Sequence, residues 1–106
     1  MSIPLTKPKI VSAISGLPGW SHQENALVKT VVCGSFKEAL AFMMRVGFEA
    51  EAINHHPDWT NVYNRVSIRL CTHDAGGRVT AKDVDLARRI EAVIRESTIG
   101  SIRVPA

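Results

Sequence analysis

Between Ser35 and Pro57 this chain can form little other than one long helix. Gly34-Ser35-Phe36-Lys37-Glu38 is a helix start, because Ser35 and Glu38 sit three apart and can each satisfy the other's backbone N–H. Phe36, Leu40, Met43, Val46 or Gly47, Ala50 and Ile53 then recur every three or four residues, which predicts a helix over 36–53 with one buried face. Phe42 and Met44 widen that stripe, and a stripe of methionine and aromatic residues reads as core rather than as a cofactor box. Pro57 stops the helix and pushes His56 out of the α region.

The segments around this helix predict a sheet. Residues 6–17 read as a short helix capped by Thr6, with Pro8 in its first turn, Ile10, Val11, Ile14 and Leu17 at helical spacing, and Gly16 to end it. Leu17-Pro18-Gly19-Trp20 is a turn. Residues 20–23 and 26–33 read as a hairpin, the second strand rich in β-branched residues. Asp58 to Asn61 reads as a polar turn, and Val62 to Thr72 as an alternating, half-buried strand. Asp74-Ala75-Gly76-Gly77 is a tight loop, with Arg78-Val79 as one more short strand. Thr80 and Asp83 start a last helix whose inner face is Val84, Ala87, Ile90 or Glu91, and Ile94. No element is assigned to Ile99–Ala106. The order is α-ββ-α-ββ-α, an α+β two-layer sandwich of a four-stranded antiparallel sheet on three helices. A sheet this small has exposed edges, through which the chain could pair with a second copy.

Length and composition narrow the function classes. The 106 residues make one domain, spanning 1–106 with its core at about 6–96. The net charge of +3 is scattered and forms no run that would track a phosphate backbone, so direct nucleic-acid binding is not expected. No apolar run could cross a bilayer, and the N-terminus lacks the pattern of a secretory signal. The cysteines, Cys33 and Cys71, have no CxxC spacing and read as buried small hydrophobes in a reduced, cytoplasmic protein.

The residues that could carry chemistry cluster between Glu51 and Asp83, with three of the four histidines. His55 and His56 follow the long helix, and Glu51 lies one turn before His55, where its carboxylate could hydrogen-bond an imidazole. A solvated helix end would also account for a single histidine there. His73 ends a strand beside a glycine-rich loop, where side chains reach over pockets but where surface histidines also occur. Asp83 has a sufficient role in capping the last helix and could instead orient His73; one carboxylate can hardly do both, so it weighs less than the histidines. His22 stands apart and reads as solvent-facing. Trp20 and Trp59 could form a flat wall for an aromatic ligand or simply pack. The residue types are zinc-compatible, but the spacing fits no local zinc signature, and no metal is expected. What remains is acid/base chemistry by imidazoles, which titrate near neutral pH. Dehydration of a carbinolamine needs two such acts: protonation of the departing hydroxyl and removal of a proton from the adjacent nitrogen.

The spacing Glu51-x3-His55-His56-Pro57-x5-Tyr63-x9-His73-x9-Asp83 resembles the signature of the pterin-4a-carbinolamine dehydratases. Leu17–Trp20, the Phe36–Ala50 helix, Asn61-Val62-Tyr63-Asn64 and Thr72-His73-Asp74-Ala75-Gly76-Gly77 are similar to the same family, over about residues 6–95. The resemblance implies a hydro-lyase that converts 4a-hydroxytetrahydropterin to quinonoid dihydropterin. Pterin is then the substrate, there is no cofactor, and the step recycles the pterin of aromatic amino acid hydroxylases, the implied pathway partners. It implies that His55, His56 and His73 are catalytic, His56 mainly through substrate binding, and that Glu51 and Asp83 orient them. His55–Pro57 and Thr72–Ala75 (Thr72, His73, Asp74 and Ala75) would line the pterin pocket. It further implies a homodimer or homotetramer built by joining sheets and helices. Members of the family also serve as dimerisation cofactors of a homeodomain transcription factor through a helical surface, which is the alternative function. A branch that helps assemble a carbon-fixing enzyme is eroded at this motif, which is intact here.

Overall fold

The computed structural model describes residues 2–97; the expected tail at Ile99–Ala106 lies outside them. Its elements are α1 (Lys7–Ile14), β1 (Ser21–Gln23), β2 (Ala26–Val32), α2 (Phe36–Ala52), β3 (Asp58–Val62), β4 (Arg65–Leu70), a 3₁₀ turn (His73–Ala75) and α3 (Ala81–Arg95). The four strands form one antiparallel sheet in the order β1-β2-β4-β3. With three helices this is the α+β architecture expected.

The helix starts are chemical. Thr6 accepts from Lys9 N and opens α1, with Pro8 in the first turn. Ser35 accepts from Glu38 N at 3.1 Å, but Glu38 reaches back to Gly34 N at 2.8 Å, one residue beyond the reciprocal box expected. A Cβ at Gly34 would meet that carboxylate at 2.3 Å, so a larger residue there would push the flexible Glu38 side chain aside. At α3 the box is complete, with Thr80 as cap and Asp83 returning to its backbone N–H.

Two expectations fail in instructive ways. Residues 58–61 are not a turn but the edge strand β3, and the turn is Tyr63–Asn64. No glycine marks it; instead Tyr63 takes φ +52°, and the Asn61 amide donates to the carbonyls of Tyr63 and Arg65. Asn64 ties the turn to the sheet by donating to Cys33 O, while Cys33 N donates to Asn64 O. Arg78-Val79, expected as a strand, makes only an isolated bridge from Arg78 to Thr72. The four strands are therefore real, but the fourth is β3.

The second failure is the buried face of α2. Ala39, Phe42, Val46 and Ala50 face the core, while Phe36, Leu40, Met44 and Phe48 are exposed. Residues two apart on a helix point roughly 200° apart, so Leu40 and Met44 cannot share a face with Phe42 and Val46. The helix is apolar on both sides, and periodicity alone could not say which side meets the sheet. The core is closed by Leu27, Val31, Val66, Ile68 and Leu70 from the strands and Leu86, Ala87 and Ile90 from α3.

Candidate active site

The site begins at the C-terminus of α2. Asn54 takes φ +50°, Asn54 N donates to Glu51 O, and His55 N donates to Ala50 O. These are the two bonds of a Schellman motif, with Asn54 in the left-handed position. The reversal turns His55 inward, where it is 9% exposed, and Pro57 holds the chain extended into β3. Because the helix ends at Ala52, Glu51 and His55 are not one turn apart on it. Glu51 instead meets His56, with Oε1 2.8 Å from Nε2. Both are exposed, so this pair contributes little to the stability of the fold.

His55 is held from the other side. Its Nε2 lies 2.6 Å from Oδ1 of Asp83, which is fully buried at the first turn of α3. The other oxygen, Oδ2, accepts from Thr80 N at 2.9 Å and from the Thr72 hydroxyl at 2.8 Å. Asp83 thus caps a helix and contacts a histidine at once, contrary to expectation, because a carboxylate has two oxygens and about four lone-pair positions. The histidine it contacts is His55, not His73.

His73 opens the 3₁₀ turn after β4 rather than ending a strand, and its side chain is exposed. Gly76 and Gly77 follow with φ +73° and +74°, and Gly77 N closes the loop onto Thr72 O. Glycine suits both positions, because it takes positive φ without a Cβ clash.

These segments line one cavity of about 450 Å³, open to solvent on one side, with His55, His56, Pro57, Thr72, His73 and Asp74 on its wall. Of the residues expected around the pocket, only Ala75 is not on its wall. Asn54, Asp58, Arg69, Cys71 and Lys82 complete the lining and were not anticipated. The even positions of the Val62–Thr72 alternation are the inward ones from Val66 on, but Arg69 and Cys71 still reach the cavity because it opens at the end of β4. Neither tryptophan lines it: Trp20 is buried with its indole N–H on Glu91, and Trp59 packs half-buried against the core. His22 pairs with Leu27 and is half-buried rather than solvent-facing. Cys33 is buried, whereas Cys71 is half-exposed on the cavity wall. Among the described residues, no three His, Cys, Asp or Glu side chains are grouped as a metal site would need.

The fold and the site together define a class: a two-layer α+β domain with three histidines lining one small cavity. Comparison with known proteins narrows it. Residues 3–93 match the family described as Pterin 4 alpha carbinolamine dehydratase. A protein of Opitutus terrae named "Putative pterin-4-alpha-carbinolamine dehydratase" is 58% identical over 89 residues, 84% of this chain and 92% of that protein. One of the same name from Rhodopseudomonas palustris is 51% identical over 84 residues, 77% of this chain and 82% of its own. The crystal structure titled transcriptional coactivator/pterin dehydratase from Brucella melitensis superposes with a TM-score of 0.81 at 34% identity, covering 85% of this chain and 97% of that one. The chain belongs to the pterin-4-alpha-carbinolamine dehydratase family.

Proposed function

We propose that this protein dehydrates 4a-hydroxytetrahydropterin to quinonoid dihydropterin by histidine acid/base catalysis, with no metal or cofactor. One imidazole protonates the 4a-hydroxyl as the C4a–O bond breaks, releasing water. A second takes the N5 proton, and the electron pair of the N5–H bond forms the C4a=N5 double bond. The observation that carries this reading is that His55, His56 and His73 line one cavity, two of them braced by carboxylates. His55 and His73 are the acid/base pair, and His56, with Pro57 and the Thr72–Ala75 segment, binds the pterin. Glu51 and Asp83 orient His56 and His55. Among the described residues no helix is long and apolar enough to cross a membrane. We place the protein in the cytoplasm, recycling the pterin of an aromatic amino acid hydroxylase.

The test is a stopped-flow dehydration assay on chemically generated carbinolamine. The wild type should accelerate water loss, and a His55→Ala, His73→Ala double variant should lose that acceleration. Turnover within a few fold of wild type in the double variant would rule out the mechanism.

A second reading, a dimerisation cofactor that controls a partner's oligomeric state, is favoured by the exposed Phe36, Leu40, Met44 and Phe48 stripe on α2. The Brucella relative's title also carries the word coactivator. The same stripe supports a homodimer or homotetramer, because a run of large apolar side chains on one helix face marks an interaction surface. The double histidine variant separates the readings, since a binding module would keep its partner while losing turnover.

A further inference from the structure

We infer that Thr72 and Thr80 are positioning residues that fix His55 as its Nε2–H tautomer, leaving Nδ1 as the nitrogen that exchanges protons with the substrate. This rests on the dehydratase reading above and sharpens it to one atom.

The inference follows from counting protons. Thr72 is 3% exposed, and every polar group it has is engaged. Its N–H donates to Arg78 O at 2.9 Å, and its carbonyl accepts from Ala75 N at 3.1 Å and Gly77 N at 3.0 Å. Its hydroxyl has one proton to give, and that proton goes to Asp83 Oδ2 at 2.8 Å. The 2.7 Å contact between the Thr72 and Thr80 hydroxyls must then be filled by the Thr80 proton. Thr80 Oγ1 in turn accepts from Lys82 N at 3.2 Å, and Thr80 N donates to Asp83 Oδ2 at 2.9 Å.

The bonds through the two hydroxyls, with that from Thr80 N, run one way, toward the carboxylate. Two N–H or O–H donors meet at Oδ2, an arrangement suited to an ionised carboxylate, which only accepts. At Oδ1 the 2.6 Å contact with His55 Nε2 therefore needs its proton on the ring nitrogen. With Nε2–H committed to the protein interior, the neutral ring keeps its lone pair on Nδ1. This is the second-partner logic by which a hydrogen bond on one ring nitrogen sets the state of the other. Thr72 lies on the cavity wall and gives its one hydroxyl proton to Asp83, so within the Thr72–Ala75 segment its side chain acts by holding that carboxylate.

The test uses the full chain labelled with ¹⁵N-histidine and long-range ¹H–¹⁵N correlation of the imidazole rings at mildly alkaline pH, beside the stopped-flow assay. In the wild type, His55 should show a single neutral Nε2–H form. Thr72→Val removes one donor from Oδ2 and strands the Thr80 proton. It should give mixed tautomers at His55 and lower kcat about tenfold, with KM within twofold. Thr72→Ser keeps the hydroxyl and should restore both readouts. An Nδ1–H form in the wild type would overturn the inference, as would a Thr72→Val variant with raised KM and unchanged kcat. If Thr72→Val does not fold, the wild-type spectrum and Thr72→Ser still decide. A wild type with no dehydration activity would overturn the activity reading alone, because the ring spectrum needs no substrate.

Discussion

Oδ1 of Asp83 lies 2.6 Å from Nε2 of His55, across 28 residues of sequence, while Oδ2 of the same carboxylate caps α3. One buried side chain therefore couples the last helix to the site. Any shift of α3 along its axis moves the hydrogen bond that holds His55, so helix docking and imidazole geometry cannot vary independently. On the dehydratase reading proposed above, a ring fixed in this way would need no reorientation at the moment of proton transfer, which is where positioned acid/base groups derive their advantage.

Replacing Asp83 should damage activity and stability by separable amounts. Asp83→Asn keeps the shape but adds an N–H donor where only acceptors fit; kcat should fall on the order of 100-fold with little change in KM. Asp83→Ala also leaves the Thr72 hydroxyl and Thr80 N–H buried without a partner, which costs on the order of 2–4 kcal/mol. Stopped-flow kinetics and urea unfolding of the two variants give the comparison.

Much of this site was readable from residue types and spacing, and the unreadable part has specific causes. Thr80 and Asp83 at cap spacing are a local signal and appear as such. That Asp83 also serves His55 is not local, since the contact depends on how α3 packs against the end of α2. Glu51 at helical spacing from His55 suggested the wrong pair because the Schellman reversal at Asn54 ends the helix first. Asn54 followed by His-His-Pro was the available signal, since asparagine tolerates the left-handed position. At α2, large apolar residues lie on two opposite faces of residues 36–53, so the helix itself was legible but its inner face was not. At β3 an edge strand with only Trp59 and Asn61 half-buried lacks the apolar alternation that identifies a strand.

A buried ion pair lies outside the cavity lining. Lys29 Nζ donates to Glu91 Oε2 and to Pro18 O at 2.8 Å, and the Trp20 indole donates to the same Glu91 oxygen at 2.9 Å. Lys29 and Glu91 join β2 to α3 and pin the turn before β1. Removing one partner strands the other in the core. Lys29→Met should lose about 3–5 kcal/mol, and so should Glu91→Leu, while the double change should recover most of it. Urea unfolding of the four proteins closes the cycle; additive losses would mean that the pair is not coupled.

The buried thiol of Cys33 predicts a pH effect on stability. Burial raises its pKa, and the nearby Glu38 carboxylate raises it further. The folded value lies above the unfolded one, so at alkaline pH the unfolded chain releases a proton that the fold retains. Stability from this group is complete below the ordinary thiol range and is lost as pH rises toward the folded value. The loss is at most about 1.4 kcal/mol per pH unit of separation. Urea midpoints taken at pH 8 and then in steps to about pH 10 should fall more steeply in the wild type than in Cys33→Ala. Iodoacetamide at pH 8 should alkylate Cys71, which is half-exposed on the cavity wall, before Cys33.

The outer face of α2 carries the last prediction. Met44 and Phe48 are 63% and 68% exposed, one turn apart, in line with Phe36 and Leu40. Four large apolar side chains on one ridge are unfavourable in water unless another surface covers them, and a second copy of the same ridge would do so by packing helix on helix. Phe48→Asp and Met44→Asp place a charge where that packing would form. If the ridge joins protomers, each should raise the dissociation constant by at least about 100-fold, as truncation of central interface residues does. Because both side chains are exposed within the protomer, stability of the monomer should change by about 0.5 kcal/mol or less. Light scattering across a dilution series reads the first effect and urea unfolding at low concentration the second. An unchanged assembly mass in both variants would place any self-association on another surface, with the β1 and β3 edges next to be tested.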